Sequence, residues 1–286
     1  MKTVAILGAG ELGATLARRL AETGRFASVC LVDGDLDRAK GKALDLLQAG
    51  PIEGYDTRLL GAPRLKGLGA VDALVVADPA DLPVSSPGLA PPASFVRDVV
   101  EATGAGLLVV ATGHAAALVA EAVRLGLPRT KVVGSSPLAT AAALRSRIAE
   151  ELAVTPREVA LTVLGLPPDE PIVPWASATV GGVPLAGLSP LALRRALEAV
   201  KGRAPGPVSL AAAACRVLKA LCGSTPAVLP AFVTLEGEYG HRRIALAVPA
   251  RLGHGRVESI VEVPLETVDR TAFDTLAARA FAAGTR

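Results

Sequence analysis

The feature that most constrains this chain is a glycine-rich hexapeptide near the N-terminus, together with an aspartate that follows it. Gly8, Gly10 and Gly13 have the spacing G-x-G-x-x-G, and Asp33 comes 20 residues after Gly13. The apolar, β-branched run 3–7 before the glycines indicates a buried parallel strand. A leucine stripe with helical spacing follows them. The hexapeptide therefore joins a predicted strand to a predicted helix, which is the context in which this spacing is informative.

The parts of this strand–loop–helix unit match the requirements of a bound dinucleotide. Gly8 permits a tight turn, Gly10 lets the backbone approach a pyrophosphate, and Gly13 lets the helix pack closely on the strand. The start of the helix, at Glu11 and Leu12, offers N–H groups without partners and the positive end of the helix dipole. We therefore predict that these five residues bind the cofactor.

Asp33, at the carboxyl end of the second predicted strand (29–32), indicates which dinucleotide is favoured. Its carboxylate can accept hydrogen bonds from the adenosine ribose, and its charge would repel a 2′-phosphate. The predicted cofactor is therefore NAD rather than NADP. The alternative is a glycine-rich turn that persists without a ligand.

Composition limits the class of protein. The chain has 286 residues, of which 51% are hydrophobic, enough for one large domain or two of ordinary size. The formal charge is only +3 and no run of Lys or Arg stands out, so we expect no nucleic-acid partner. The three cysteines form no ligand cluster, which argues against a metal site and suits a reducing, cytoplasmic location. Charged residues interrupt the apolar stretch 107–127, so we expect no membrane span.

The first half alternates apolar runs with helical stripes, which indicates a doubly wound parallel sheet, and we predict a dinucleotide-binding Rossmann domain over 1–136. The predicted strands are 3–7, 29–32, 73–77, 107–111 and 131–133, and the predicted helices are 11–23, 36–49, 93–104 and 115–125. The proline-rich segment 79–92 follows the carboxyl end of strand 73–77. We predict a loop there, where open α/β sheets bind ligands.

The second half loses this alternation, so we predict an α+β domain over 137–286. The predicted helices are 139–153, 190–200, 208–222 and 266–282, and the predicted extended segments are 158–164, 173–185, 228–236, 243–250 and 256–263.

The order of several motifs resembles the lactate/malate dehydrogenase family over nearly the whole chain. Besides the glycine loop, the matching segments are 31–33, 41–46, 175–185, 228–230 and 235–240. The resemblance implies an α/β fold, in which a Rossmann doubly wound parallel sheet is followed by an α+β lactate/malate dehydrogenase-like C-terminal domain. It also implies a chemistry: a histidine exchanges a proton with the substrate, an aspartate orients it, two arginines bind and polarise the substrate, and an asparagine fixes the substrate oxygen.

The positions that match these catalytic motifs hold other residues in this chain. Pro167 stands at the histidine position, Thr140 at the aspartate position, Ala143 at the carboxylate-binding arginine and Thr112 at the asparagine. The loop 79–92 contains no arginine, and the chain contains no asparagine at all. We therefore predict no catalytic residue for the family reaction. The predicted protein binds NAD in a regulatory or structural role, as a homo-oligomer or with an active paralogue.

Two alternatives remain open. An NAD-dependent oxidoreductase of altered specificity would need a new acid/base, for which His114, after strand 107–111, and Asp169 are candidates. Each has a simpler account, because His114 can be a polar residue near a helix start, and Asp169 with Glu170 can cap a turn. The other alternative is a scaffold that has lost the cofactor as well.

Overall fold

The computed structural model describes residues 2–78, 92–187 and 190–284. Its first half alternates strands and helices. In chain order these are β1 (Lys2–Leu7), α1 (Glu11–Glu22), β2 (Phe26–Val32), α2 (Leu36–Glu53), β3 (Arg58–Ala62), β4 (Ala73–Val76), α3 (Ala93–Thr103), β5 (Leu107–Val110), α4 (Ala116–Arg124), β6 (Val132–Gly134) and α5 (Ser136–Leu152). Apart from residue 92, the predicted loop 79–92 lies outside the described residues.

The six strands of this half form the parallel part of one sheet, in the order β3-β2-β1-β4-β5-β6. Every residue of β4 and β5 is buried. Their side chains alternate between two hydrophobic cores, one on each face of the sheet, which explains their uninterrupted apolar sequence. Connectivity reverses between β1 and β4. The carboxyl ends of these two strands form the switch point at which such sheets bind ligands.

The second half mixes helices with short and antiparallel strands. In chain order these are β7 (Val159–Ala160), β8 (Leu164–Leu166), β9 (Glu170–Ile172), β10 (Thr179–Val180), β11 (Val183–Pro184), α6 (Pro190–Val200), α7 (Pro207–Cys222), β12 (Ala227–Glu236), β13 (Arg242–Gly253), β14 (Arg256–Ile260) and α8 (Thr267–Gly284). Strands β7, β10 and β11 form a small sheet of their own.

The two halves share one eleven-stranded sheet. Strand β12 pairs antiparallel to β6, with Phe232 opposite Gly134, and β13, β8 and β9 continue the order while β14 pairs with β13. A Cβ on Gly134 would lie 2.9 Å from the Cβ of Phe232, so this junction requires a glycine. Helix α7 packs against α1. The predicted fold class is confirmed. The predicted boundary at 136/137 falls at the start of α5 and stays a prediction.

Several predicted elements differ in extent. Strand β3 was not predicted, because it lies at the sheet edge and its residues alternate between exposed and buried instead of forming an apolar run. Helix α5 begins three residues earlier than the predicted 139, because Pro137 is tolerated in a first helical turn. The predicted extended segments 158–164 and 173–185 contain only short strands. In the described ranges, no helix is long and apolar enough to cross a membrane.

Candidate functional site

The glycine loop lies at the switch point, between the end of β1 and the start of α1. Gly8 has φ +108°, a conformation that favours glycine, and its N–H donates to the carbonyl of Val32 at 2.7 Å. A Cβ on Gly13 would lie 1.9 Å from the Gly8 carbonyl oxygen, so only glycine allows helix and loop to pack this closely. Gly10 is the N-cap of α1 and supplies no side-chain cap. Strand–helix packing alone therefore explains Gly8 and Gly13.

The carboxylate of Asp78 lies against this loop, although nothing in the sequence motif called for it. Leu12 N–H donates to one of its oxygens at 3.3 Å, and Gly13 N–H donates to the other at 3.2 Å. A Cβ on Gly10 would lie only 2.2 Å from the Asp78 Oδ2. The close approach that Gly10 permits is thus used by a side chain of the same protein.

Sheet register explains why Asp78 meets the loop. Strands β1 and β4 are parallel neighbours, with Leu7 opposite Val76, so the residues that follow each strand emerge side by side. A Cβ on Gly8 would lie 2.5 Å from the carbonyl carbon of Asp78, so the Asp78 backbone leaves no room for a side chain at position 8. Asp78 comes between the predicted strand 73–77 and the predicted loop 79–92, and no role was predicted for it. The feature of the sequence that could have pointed to Asp78 is its place: an acidic residue directly after a strand at the switch point.

A dinucleotide pyrophosphate does not fit the loop in this arrangement. The N–H groups of Leu12 and Gly13, which would receive a phosphate, already donate to Asp78. The space above Gly10 holds the same carboxylate. Of the predicted cofactor residues, the five in the loop are brought together as expected, but they surround an internal anion.

Asp33, predicted to bind the ribose, is only 2% exposed. One of its oxygens accepts the Ala9 N–H at 2.8 Å and the other accepts the Asp35 N–H at 3.0 Å. Arg38 is the cation beside it, with its Nη1 4.0 Å from Asp33 Oδ2. Asp33 therefore fastens the glycine loop to the end of β2. Its predicted role toward a ribose stays a prediction.

The two carboxylates influence each other. Burial raises the pKa of Asp78 above its ordinary value, and the charge of Asp33 raises the pKa further. The hydrogen bonds from Gly13 and Leu12 oppose this rise, because they favour the ionised form. The ionised form of the Asp78 carboxyl group is therefore less stable beside the loop than it would be in water.

A cavity of about 620 Å³ opens beside Asp33, between the β3–β4 connection and α3. Its walls include Leu65 and Leu68 on one side and Phe95 and Ala102 on the other. Charged side chains also line it, among them Arg64, Lys66, Asp98 and Glu101, so the walls are of mixed polarity.

The positions predicted to have lost catalytic groups lie beyond the carboxyl ends of β5 and β6 and around the β8–β9 turn. Thr112 and Thr140 are buried, at 2% and 1% exposure. The Thr112 hydroxyl has no hydrogen-bond partner within the described residues, and the Thr140 hydroxyl donates to the Ser136 carbonyl of its own helix at 3.4 Å. Ala143 is half-buried in α5, and Pro167 is buried in the β8–β9 turn.

The two alternative acid/base candidates come together. Nε2 of His114, which follows β5, lies 3.2 Å from Oδ2 of Asp169 in the β8–β9 turn. The His114 side chain is 16% exposed and that of Asp169 is 44% exposed. A Cβ on Gly113 would lie 3.4 Å from the Cβ of Ala204, so the α6–α7 connection closes against the same loop. A His–Asp pair of this kind can hold and exchange a proton.

Comparison with known proteins decides the family. Malate dehydrogenase from Thermomicrobium roseum is 32% identical over 95% of this chain and 93% of that protein. Malate dehydrogenase from Thioalkalivibrio sulfidiphilus is 30% identical over 96% of this chain and 95% of that protein. The chain belongs to the lactate/malate dehydrogenase family.

Other comparisons agree with this assignment. Residues 192–280 match the family model described as lactate/malate dehydrogenase, alpha/beta C-terminal domain. The structure of malate dehydrogenase from Salinibacter ruber superposes with a TM-score of 0.88 at 27% identity, covering 98% of this chain and 96% of that one. A minor L-lactate dehydrogenase from Enterococcus mundtii shares the fold, with a TM-score of 0.87 at 24% identity over 99% of this chain and 98% of its own. This chain therefore shares the fold of these dehydrogenases over nearly its whole length.

Proposed function

We propose that this member of the lactate/malate dehydrogenase family does not interconvert 2-hydroxy and 2-oxo acids, and that it has a binding role, regulatory or structural, instead. The side chains at the family's catalytic positions carry this proposal. Thr112 and Thr140 are buried hydroxyls, and Ala143 and Pro167 have no polar side-chain atom. None of the four can exchange a proton near neutral pH or clamp a carboxylate.

The size of the missing contributions supports this proposal. A positioned general acid/base is worth about 10²–10⁴ in rate. A preorganised electrostatic donor is worth about 10²–10³ in rate. The two losses are not additive, but together they leave little of the family reaction. Without an arginine at position 143, the substrate carboxylate also lacks its bidentate partner.

The proposed binding role includes a homo-oligomer or an active paralogue as partner. Helix α2, on the cofactor half, exposes the apolar residues Leu44, Leu47 and Ile52, which favours an association surface there. Cys30 and Cys215 are buried free thiols, as suits a reducing cytoplasm. We propose no nucleic-acid or membrane partner.

NAD is the proposed cofactor ligand, and the structure bears on it in two opposite ways. The conformation of the glycine loop and the cavity beside Asp33 support a dinucleotide site. The carboxylate of Asp78 opposes it, because it occupies the phosphate donors. We propose that NAD binding requires Asp78 to leave these donors.

A second candidate function is an oxidoreductase of altered specificity, favoured by the His114–Asp169 contact of 3.2 Å. In that function, His114 would hold the exchanged proton and Asp169 would stabilise its charge. The substrate would not be a carboxylate of the family type, because position 143 is an alanine.

An activity assay tests the first proposal against the second. Purified wild type and D78A are assayed with NADH on pyruvate and oxaloacetate and with NAD on alcohols, hydroxy acids and amino acids. The Salinibacter ruber malate dehydrogenase serves as the positive control. We expect family turnover to lie at least about 10⁴-fold below that control in both variants. D78A is included so that loss of chemistry is separated from loss of cofactor.

The contradicting outcome is reproducible turnover that His114→Ala abolishes. His254→Ala is the matched control, since His254 also pairs with a carboxylate but lies exposed in a turn of the β13–β14 hairpin. Turnover lost in H114A and kept in H254A would establish the second candidate and overturn the first.

A further inference from the structure

The phosphate-binding end of the glycine loop already holds an anion of the protein itself. Helix α1 begins at Glu11, and the N–H groups of its second and third residues, Leu12 and Gly13, donate to the Asp78 carboxylate. A helix N-terminus attracts negative charge because these N–H groups lack partners in the helix and its dipole is positive there. Asp78 satisfies both demands in place of a ligand.

The hydrogen bonds by which Asp78 caps helix α1 are the same ones that would compete with a ligand. The N-cap residue of α1 is Gly10, which has no side chain to accept from the first turn. Asp78 supplies the missing acceptor from the neighbouring strand. A pyrophosphate would need the same two N–H groups and the space over Gly10, where a Cβ would already lie 2.2 Å from Asp78 Oδ2.

Repulsion between the carboxylates and a pyrophosphate adds to the steric competition. Asp33 accepts the Ala9 N–H of the same loop at 2.8 Å, so two carboxylates occupy three of the loop's donors. An entering pyrophosphate would therefore bring its negative charges beside both carboxylates. Like charges at such short range are mutually destabilising in a partly buried site.

We propose that Asp78 is an intramolecular competitor for the pyrophosphate subsite, so that the chain binds NAD far more weakly than its glycine loop predicts. Removing the carboxylate restores affinity for ligands that carry the diphosphate. This inference concerns the nucleotide half alone and does not rest on the proposed loss of catalysis.

Titration calorimetry on the intact chain tests it. Wild type, D78A, D78N and D45N are titrated with NADH and with ADP-ribose, which share the pyrophosphate. We expect D78A to bind both ligands at least about tenfold more tightly than wild type, and D78N to bind with an intermediate affinity, because asparagine removes the charge but keeps the bulk. D45N removes one exposed carboxylate from α2 and should match wild type.

Adenosine, which lacks the phosphates, is the second probe. Only competition at the diphosphate predicts that D78A has a higher affinity than wild type for ADP-ribose but the same affinity for adenosine. An equal gain for adenosine would mean that the substitution merely loosens the fold, and the inference would fail. The inference would also fail if wild type and D78A bound ADP-ribose equally, whether both bound it tightly or neither bound it. If D78A does not fold by circular dichroism, D78N decides alone, since asparagine can still accept from the loop.

Discussion

Two regions of this molecule differ in opposite ways: the glycine loop between β1 and α1, and the region where the β5–α4 loop meets the β8–β9 turn. The glycine loop keeps every residue of its motif, yet Asp78 already accepts the N–H groups of Leu12 and Gly13. The positions predicted to match the family's catalytic residues hold side chains without an ionisable group: Thr112, Thr140, Ala143 and Pro167. Near them, however, His114 and Asp169 form a new pair at 3.2 Å.

This contrast shows that a binding motif and an available binding site are different properties. Gly8 and Gly13 are required by backbone packing, and this requirement persists whether or not a ligand binds. The presence of the glycines is therefore weak support for a cofactor. The availability of the donors depends on a residue outside the motif.

The largest expected effect tests whether the glycines serve packing. In G13A the new Cβ would lie 1.9 Å from the Gly8 carbonyl oxygen. We expect the free energy of unfolding to fall by about 3 kcal/mol, at the upper end for overpacking. Gly41, in the exposed face of α2 with no described neighbour within 4 Å of its Cβ position, supplies the control. G41A should stabilise the protein by about 0.5–1 kcal/mol. Equal urea midpoints for G13A and G41A would contradict this account.

The next effect concerns pH and Asp78. Burial raises the pKa of Asp78 above its ordinary value of 3.8, so between the two values the folded state holds more protons than the unfolded state. The contribution of Asp78 to stability should therefore fall as the pH rises through this interval, with Asp33 as a neighbouring charge that adds to the effect. D78N lacks this titration, so its stability relative to wild type should improve as the pH rises to 7.

Urea unfolding at a series of pH values measures the stability of D78N relative to wild type. This difference should shift in favour of D78N from acid to neutral pH, whereas D45N should follow wild type throughout. A constant difference between D78N and wild type across the series would show that ionised Asp78 is not held at a disadvantage.

The smallest expected effect concerns the contact between the β5–α4 loop and the β8–β9 turn. The His114–Asp169 pair is partly exposed, so its interaction energy should be modest. A double-mutant cycle of H114A, D169N and the double variant should give a coupling of about 0.2–1 kcal/mol. A much larger value would mean that the pair is a structural anchor, and it would weaken the view that it is poised for chemistry.

A good part of the fold follows from local patterns. The runs that became β4 and β5 are continuously apolar because both faces of these strands are buried, and that composition is visible in the sequence. Strand β3 escaped prediction because an edge strand lacks this signal. The antiparallel junction of β6 with β12 involves residues almost a hundred positions apart, and no local pattern encodes it.

For the candidate site, the sequence by itself determined which chemical groups exist: the glycine loop, an acid at Asp33, and side chains without an ionisable group at positions 112, 140, 143 and 167. Only the tertiary structure decided how these groups are used. The parallel register of β1 and β4 places Asp78 on the helix terminus, and the approach of the β8–β9 turn to the β5–α4 loop pairs Asp169 with His114. The physical reason is that charge and hydrogen bonding act over a few ångströms of space, whereas a motif records only neighbours along the chain.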